Sequence, residues 1–352
     1  MTTADGDGAS RRVPVVDLAR RAASLEPDLS RAFARVLASG RFLLGPETEA
    51  FEVELASATG RAHAVAVASG TEALRLALVA LGVGNGDEVI VPALTAVPTA
   101  AAVCATGAVP VPVDVDAATA TIDHDAARAA RSDRTRAVIP VHLYGRPSEL
   151  PDLGVPIVED AAQAHGATDR SAPTAAVAYS FYPTKNLGGV GDGGAITTDD
   201  ASLADAARLR RTHGLGAGYE HTVVSGNSRL SELEAAALRI MLSRLGSQNI
   251  RRREIAARYR QAAPGLRWQE PHDRHVYHLC VVRVPDRDDF RSRMPFDTGV
   301  HYPRALTQQP AYRAYVRDPC PEAEAWAAEC VSLPCFPEMT DEEIEAVCRA
   351  LQ

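Results

Sequence analysis

The sequence predicts an α/β fold: a mostly parallel sheet with helices on both faces, followed by a small C-terminal α/β domain. Three observations carry this expectation. Short apolar runs alternate with helix-length amphipathic segments from about residue 60 to residue 200, the pattern of a sheet covered on both faces. From Ser231 the text changes to long helical segments rich in Arg and Ala, which reads as a domain junction. The 352 residues, 46% hydrophobic and 23% charged, describe an ordinary globular chain with room for two domains.

In chain order, residues 1–12 read as a disordered tail, with Asp5, Asp7, Arg11 and Arg12 among small polar residues. They lack the basic-then-apolar profile of a signal peptide. Residues 13–245 are expected to form the large domain and 246–352 the small one. Helices are expected at 28–39 and 47–58, then a strand over 63–69. Ser69-Gly70-Thr71-Glu72 opens a helix through Leu81, with Ser69 and Glu72 at capping-box spacing, and Gly82, Gly84 and Gly86 end it. Strands are expected over 88–91, 109–114, 137–141, 156–159, 177–181 and 194–197. The uncharged stretch from Val89 to Val113 is long enough to cross a bilayer. Pro92, Pro98, Pro110 and Pro112 instead divide it into two buried strands around a short Ala-rich helix. Beyond the junction come helical segments at 232–245 and 250–262, strands near 277–284 and a terminal helix at 341–351.

Charge and cysteine usage exclude several classes of function. A net charge of -8 opposes general affinity for nucleic acid or anionic lipid. Cys104, Cys280, Cys320, Cys330, Cys335 and Cys348 form no C-x-x-C pair and have no matching His spacing, so no metal site is expected. They read as small apolar residues of a reducing cytoplasm.

Three segments carry chemistry. Ser180-Phe-Tyr-Pro-Thr-Lys185-Asn-Leu-Gly188-Gly189 leaves an apolar strand and enters a Gly-rich turn, placing Lys185 where ligands meet open α/β sheets. Alone, Lys185 would read as a solvated loop lysine. In Val155-Pro-Ile-Val-Glu-Asp160-Ala-Ala-Gln163 a strand runs into Asp160, a carboxylate that must be paired. A protonated pyridine nitrogen would pair it, and a helix N-cap is the plainer reading. Ser69-Gly70-Thr71 joins a strand to a helix N-terminus, which is an anion site, although the same residues serve as ordinary caps. Together, in chain order, the segments supply a phosphate cradle, a pyridinium carboxylate and a Schiff-base amine, the parts of a pyridoxal-phosphate site.

From about Arg41 onward the chain resembles the DegT/DnrJ/StrS family of pyridoxal-phosphate-dependent sugar aminotransferases. The motifs are Gly-Arg-Phe-Leu-Leu-Gly-Pro (40–46), Ser-Gly-Thr (69–71), Gly-Asp-Glu-Val-Ile-Val-Pro (86–92), Pro-Val-His-Leu-Tyr-Gly (140–145), Glu-Asp-Ala-Ala-Gln-Ala-His-Gly (159–166), Ser-Phe-Tyr-Pro-Thr-Lys-Asn-Leu-Gly (180–188) and Val-His-Tyr-Pro (300–303). The resemblance implies the fold-type I aminotransferase architecture, with Lys185 holding pyridoxal 5'-phosphate as a Schiff base. It further implies that Asp160 pairs with the ring nitrogen, Gln163 lies near the ring hydroxyl, and Gly70, Thr71 and Ser180 hold the phosphate. Asn227 would reach the phosphate of the neighbouring subunit, making a homodimer with a shared active site a requirement. Tyr182, Arg229, His301 and Tyr302 match positions at the active-site mouth; packing of a turn by Tyr302 and capping of a helix by Arg229 are the plainer alternatives. Two departures stand out. Ala96 replaces the usual stacking aromatic, and the segments Pro151-Asp-Leu-Gly154 and Asp169-Arg-Ser-Ala-Pro-Thr174 are shortened. The run Arg251-Arg252-Arg253, with Arg258 and Arg260, reads as a solvated helix face.

The expected activity is transfer of an amino group from an amino acid, L-glutamate, to a nucleotide-linked keto-deoxysugar, a TDP-4-keto-6-deoxyhexose, for aminodeoxysugar biosynthesis. A 3-keto nucleotide sugar or a cyclitol is an alternative substrate. A dehydratase on the same scaffold is a second alternative, and Lys185 argues against it because such relatives carry His there. A non-catalytic regulatory protein is a third, and no DNA-binding helix pair or basic face supports it.

Overall fold

The computed structural model describes residues 12–169 and 171–352. The expected tail therefore lies outside the described residues except for Arg12, whose guanidinium donates to the carbonyls of Met294 at 2.6 Å and Phe296 at 2.7 Å.

Seven strands form the large sheet: β1 His63–Val67, β2 Glu88–Pro92, β3 Val109–Val113, β4 Thr135–Val138, β5 Val158–Asp160, β6 Ala176–Ser180 and β7 Gly194–Thr198. β3, β2 and β4 pair in parallel, as do β5 and β6. Parallel bridges Val138–Ile157 and Val141–Asp160 join the two groups, giving the order β3-β2-β4-β5-β6-β7-β1. β7 runs antiparallel to both β6 and β1. The Gly-rich segment between β6 and β7 contains no crossover helix, so the chain can only fold back on itself there. β4 ends earlier than expected, at Val138. Pro140 has no N–H with which to continue the ladder.

The helix Gly70–Ala80 buries Ala73, Leu74, Leu76, Ala77 and Leu78 in the largest core. Only half of the anticipated capping box forms. Ser69 Oγ accepts from the Glu72 N–H at 3.2 Å, but the Glu72 carboxylate turns instead to Arg75, accepting two hydrogen bonds of 2.7 Å each. The uncharged stretch resolves into β2, the helix Pro98–Cys104 and β3. Among the described residues no helix is long and apolar enough to cross a membrane.

The two helical segments expected after Ser231 are one helix, Glu232–Ala262. Ser231 caps its start by accepting from Glu234 N. Gly246 does not break it: an interior glycine costs about 1 kcal/mol, which tertiary packing on both sides offsets. Ala235, Leu238 and Met241 pack in the core against β6 and β7, whereas Ile255, Ala256 and Tyr259 pack in the C-terminal core. The expected boundary at residue 245 thus falls inside a continuous helix that serves both cores. Glu232 also caps the neighbouring helix Pro46–Thr59, which has no side-chain cap of its own, by accepting from the N–H groups of Gly45, Glu47 and Thr48 at 2.8–2.9 Å.

The C-terminal sheet is antiparallel, in the order β10 (Cys330–Leu333), β9 (Cys280–Arg283), β8 (Arg267–Trp268). Val13 and Val16, from the other end of the chain, pack against its core. The terminal helix Asp341–Leu351 begins with a complete capping box between Thr340 and Glu343.

Candidate active site

Segments leaving the carboxyl ends of β1, β2, β4, β5 and β6 converge on a cavity of about 490 Å³. Ser69, Gly70 and Thr71 arrive from β1, and Ser180 closes the same corner from the end of β6. The approach is tight enough to require glycine. A Cβ on Gly70 would lie 2.7 Å from the Ser180 Cβ, and one on Gly194 would lie 2.3 Å from the Ser69 carbonyl. The corner combines the positive end of the helix Gly70–Ala80 with the hydroxyls of Ser69, Thr71 and Ser180, so it suits a phosphate.

Asp160, the last residue of β5, is buried on the opposite wall. Its Oδ2 accepts from Thr99 Oγ1 at 2.8 Å and its Oδ1 from Ala162 N at 3.1 Å, while Thr95 Oγ1 lies 2.8 Å from Thr99 Oγ1. The segment after Asp160 is a series of turns rather than a helix, so the carboxylate does not serve as a helix N-cap. Two hydrogen bonds leave lone pairs to spare, and a protonated ring nitrogen fits that deficit. Gln163 Oε1 accepts from Tyr144 N at 2.6 Å, and its Nε2 donates to the Tyr302 hydroxyl at 2.9 Å.

Lys185 enters the cavity wall from a turn just beyond β6, its own N–H donating to the Tyr182 carbonyl at 2.8 Å. Burial lowers its amine to about 8, with Asp160 pulling in the opposite direction. Arg21 holds the turn. This buried side chain on the helix Leu18–Leu25 donates to the carbonyls of Pro183 at 2.9 Å, Lys185 at 3.0 Å, Asn186 at 3.4 Å and Gly188 at 3.1 Å. Sequence reasoning missed Arg21; its signal was a position four residues before the buried Leu25, on the core-facing side of a helix. The Gly-rich turn is supported from below by Glu234, which accepts from Val190 N at 3.1 Å and which burial raises to about 7. Asp192, on the same turn, also lines the cavity and was not singled out from the sequence.

The remaining candidates divide. Tyr302 and Tyr182 line the cavity, Tyr182 half-exposed at its rim. Burial raises the Tyr302 hydroxyl to about 12, so it stays protonated. His301 sits behind them, its Nδ1 2.9 Å from Ser332 Oγ, and burial followed by nearby Lys185 lowers its pKa. Asn227 and Arg229 do not line this cavity. They bond each other, Arg229 Nε donating to Asn227 Oδ1 at 2.8 Å, on a segment with exposed Tyr219 and Val224. Ala96 does line it, with Leu74, Val97, Pro98 and Leu143 supplying aliphatic surface where an aromatic was expected. The arginine run is not a uniformly solvated face: Arg251 pairs with Asp341 at 2.8 Å, but Arg252 is only 4% exposed.

Comparison with known proteins agrees with this geometry. The family model of the DegT/DnrJ/EryC1/StrS aminotransferases matches residues 24–352. The chain is 45% identical over 349 residues to the dTDP-3-amino-3,4,6-trideoxy-alpha-D-glucose transaminase of Streptomyces venezuelae, covering 93% of this chain and 92% of that protein. It is 39% identical to the dTDP-3-amino-3,6-dideoxy-alpha-D-galactopyranose transaminase of Aneurinibacillus thermoaerophilus, over 96% and 98% of the two chains. The crystal structure of Streptomyces venezuelae DesV in complex with a ketimine intermediate superposes with a TM-score of 0.93 at 43% identity, covering 97% of each chain.

Proposed function

The chain belongs to the DegT/DnrJ/EryC1/StrS aminotransferase family, and from that premise we propose the following assignment of its site and substrates. It is a pyridoxal-phosphate-dependent aminotransferase acting on nucleotide-linked keto-sugars. When bound, the cofactor supplies the electron sink that lets nitrogen leave one carbon skeleton and join another. Gly70, Thr71 and Ser180 would hold its phosphate, Asp160 would keep a proton on its ring nitrogen, and Gln163 would stand beside its ring hydroxyl. Lys185 would anchor the cofactor through Nζ and, as a free amine, would carry a proton to and from the reacting carbon. An amine lowered to about 8 is suited to both tasks, because it is neutral in a useful fraction near neutral pH and still basic enough to accept a proton. The juxtaposition of Lys185, Asp160 and the Gly70 helix terminus around one cavity carries this reading.

Asn227, exposed and outside this chain's own cavity, completes the phosphate site of the neighbouring subunit in a homodimer. The exposed Tyr219 and Val224 nearby are the surface such a dimer would cover. Tyr182 and Tyr302 contact substrate in this chain's cavity, His301 supports them from behind, and Arg229, beside Asn227, reaches the substrate of the neighbouring subunit. The six cysteines, all free, accord with action in the cytoplasm. L-glutamate is the donor, and the acceptor is a dTDP-linked deoxysugar. The relatives named above make 3-amino sugars, so the carbonyl that receives nitrogen is assigned to C3, the alternative kept beside C4 in the sequence analysis. Offering the glutamate-aminated enzyme a panel of 3-keto and 4-keto dTDP-hexoses tests this. A 3-amino product is expected, and a 4-amino product from a 4-keto sugar would overturn the C3 assignment.

A further inference from the structure

Lys185 is the wall between two cavities. Behind the one described lies a second, of about 320 Å³, which shares Tyr182, Lys185 and Tyr302 with the first. Thr184, Arg252, His278 and His301 line it, together with aliphatic groups such as Val15, Val16 and Leu279. Among the described residues no Asp or Glu lies on its wall. Arg252 is the unusual member. It is buried, its NH1 donates to the carbonyls of Cys335 at 2.5 Å and Tyr277 at 3.3 Å, and its Nε has no partner. No carboxylate among the described residues comes within ion-pair distance of it. Glu338 acts on this buried cation only from beyond ion-pair distance, so its charge is incompletely compensated and an anion entering beside it would be favoured. His278 and His301 are both held neutral by burial, so they add hydrogen-bonding capacity without charge.

We propose that this second cavity is the donor subsite of the aminotransferase, receiving the side-chain carboxylate of a dicarboxylic amino acid with Arg252 as its counter-charge. The inference rests on the aminotransferase reading. Amine exchange occurs where Lys185 meets the first cavity, so the donor's α-carboxylate, one bond from the reacting carbon, stays on that side. Only a group several bonds away reaches past Lys185. One unpaired cation among neutral donors matches a single carboxylate, whereas a sugar diphosphate would bring two or more charges to one guanidinium.

The test compares L-glutamate with L-norvaline, which has the same chain length but no distal carboxylate, in single-turnover amination of the holoenzyme followed by the cofactor's absorbance. Glutamate is expected to react about 100-fold faster at low concentration. Arg252→Gln should remove most of that preference while leaving norvaline within about threefold of its original rate. Because Arg252 also ties down the carbonyls of Tyr277, His278 and Cys335, a second measurement uses the unaltered chain. Glutarate should raise the unfolding midpoint of the holoenzyme, whose phosphate corner is already filled by the cofactor, and pentanoate and inorganic pyrophosphate should not. Equal rates for glutamate and norvaline, equal slowing of both by Arg252→Gln, or a midpoint raised as much by pentanoate or pyrophosphate would each overturn the subsite. If no amino acid changes the cofactor spectrum at all, the aminotransferase reading falls with it.

Discussion

The two cavities that meet at Lys185 are assembled in opposite ways. The first is walled by residues at or just beyond strand ends: Ser69-Gly70-Thr71 after β1, Asp160 at the end of β5, Ser180 and Lys185 at and after β6. The second draws on Val15, Thr184, Arg252, His278, His301 and Cys335, which come from an N-terminal segment, the turn after β6, a long helix and loops around the C-terminal sheet. A strand end aims its following residues in a fixed direction, so chemistry placed there is local in sequence. The second cavity exists only once distant elements have packed.

The largest expected effect removes what the two cavities share. Lys185→Ala should slow amine transfer by about 10³-fold or more, measured by single-turnover absorbance, without loss of fold. The folded-state value of the Lys185 amine, about 8, lies below its ordinary 10.5. Between those values the unfolded chain binds more protons, so the wild-type cofactor-free protein gains stability as pH rises from about 8 to 10.5. Below about 8 the buried charge is a burden. Lys185→Ala should therefore be at least as stable as the parent at pH 7 and should lack that rise, which thermal unfolding across the window would reveal.

Asp160→Asn acts within the first cavity alone. It should lower turnover by about 10²-fold to 10³-fold. Because Asp160 raises the Lys185 amine, its removal should also shift the inflection for cofactor capture by the apoprotein to lower pH. An unshifted inflection would mean that the two groups do not sense each other.

Arg21→Ala tests the scaffold behind both cavities. It strips donors from four carbonyls around Lys185 and should cost about 2–4 kcal/mol in denaturant unfolding. Arg21→Lys should recover only part of this, since an ammonium cannot span the same fork of acceptors. A positioning role further requires the Lys185 pH inflection to move in Arg21→Lys; a purely structural role would leave it in place.

The smallest effect is expected at Glu234, beneath the Gly-rich turn. Its folded-state value of about 7 exceeds the ordinary 4.5, so the contribution of this group to stability is fully present below about 4.5 and is lost as pH rises to about 7. Glu234→Gln should flatten that slope, as read by unfolding midpoints over the same range.

The same contrast explains what the sequence made legible. Apolar runs ending in Asp160 or Ser69 announced both a strand and its chemistry, and the proline-broken stretch 89–113 resolved correctly because proline acts locally. The continuous helix Glu232–Ala262 was less visible, since Gly246 weakens the local signal and only packing on two cores restores it. Arg252 looked like part of a solvated helix face and Arg21 drew no reading at all, because an arginine's burial depends on which surface its helix meets. For Asn227 and Arg229 the sequence offered a role that the cavity of one chain does not display. The aliphatic wall around Ala96 was anticipated only as a missing ring.

The assignment of Lys185 as the cofactor-bearing residue is tested most directly by borohydride reduction of the yellow holoenzyme followed by proteolysis and mass mapping. The expected result is a single modified peptide carrying the reduced cofactor on Lys185. Modification at another lysine, or none, would contradict the account.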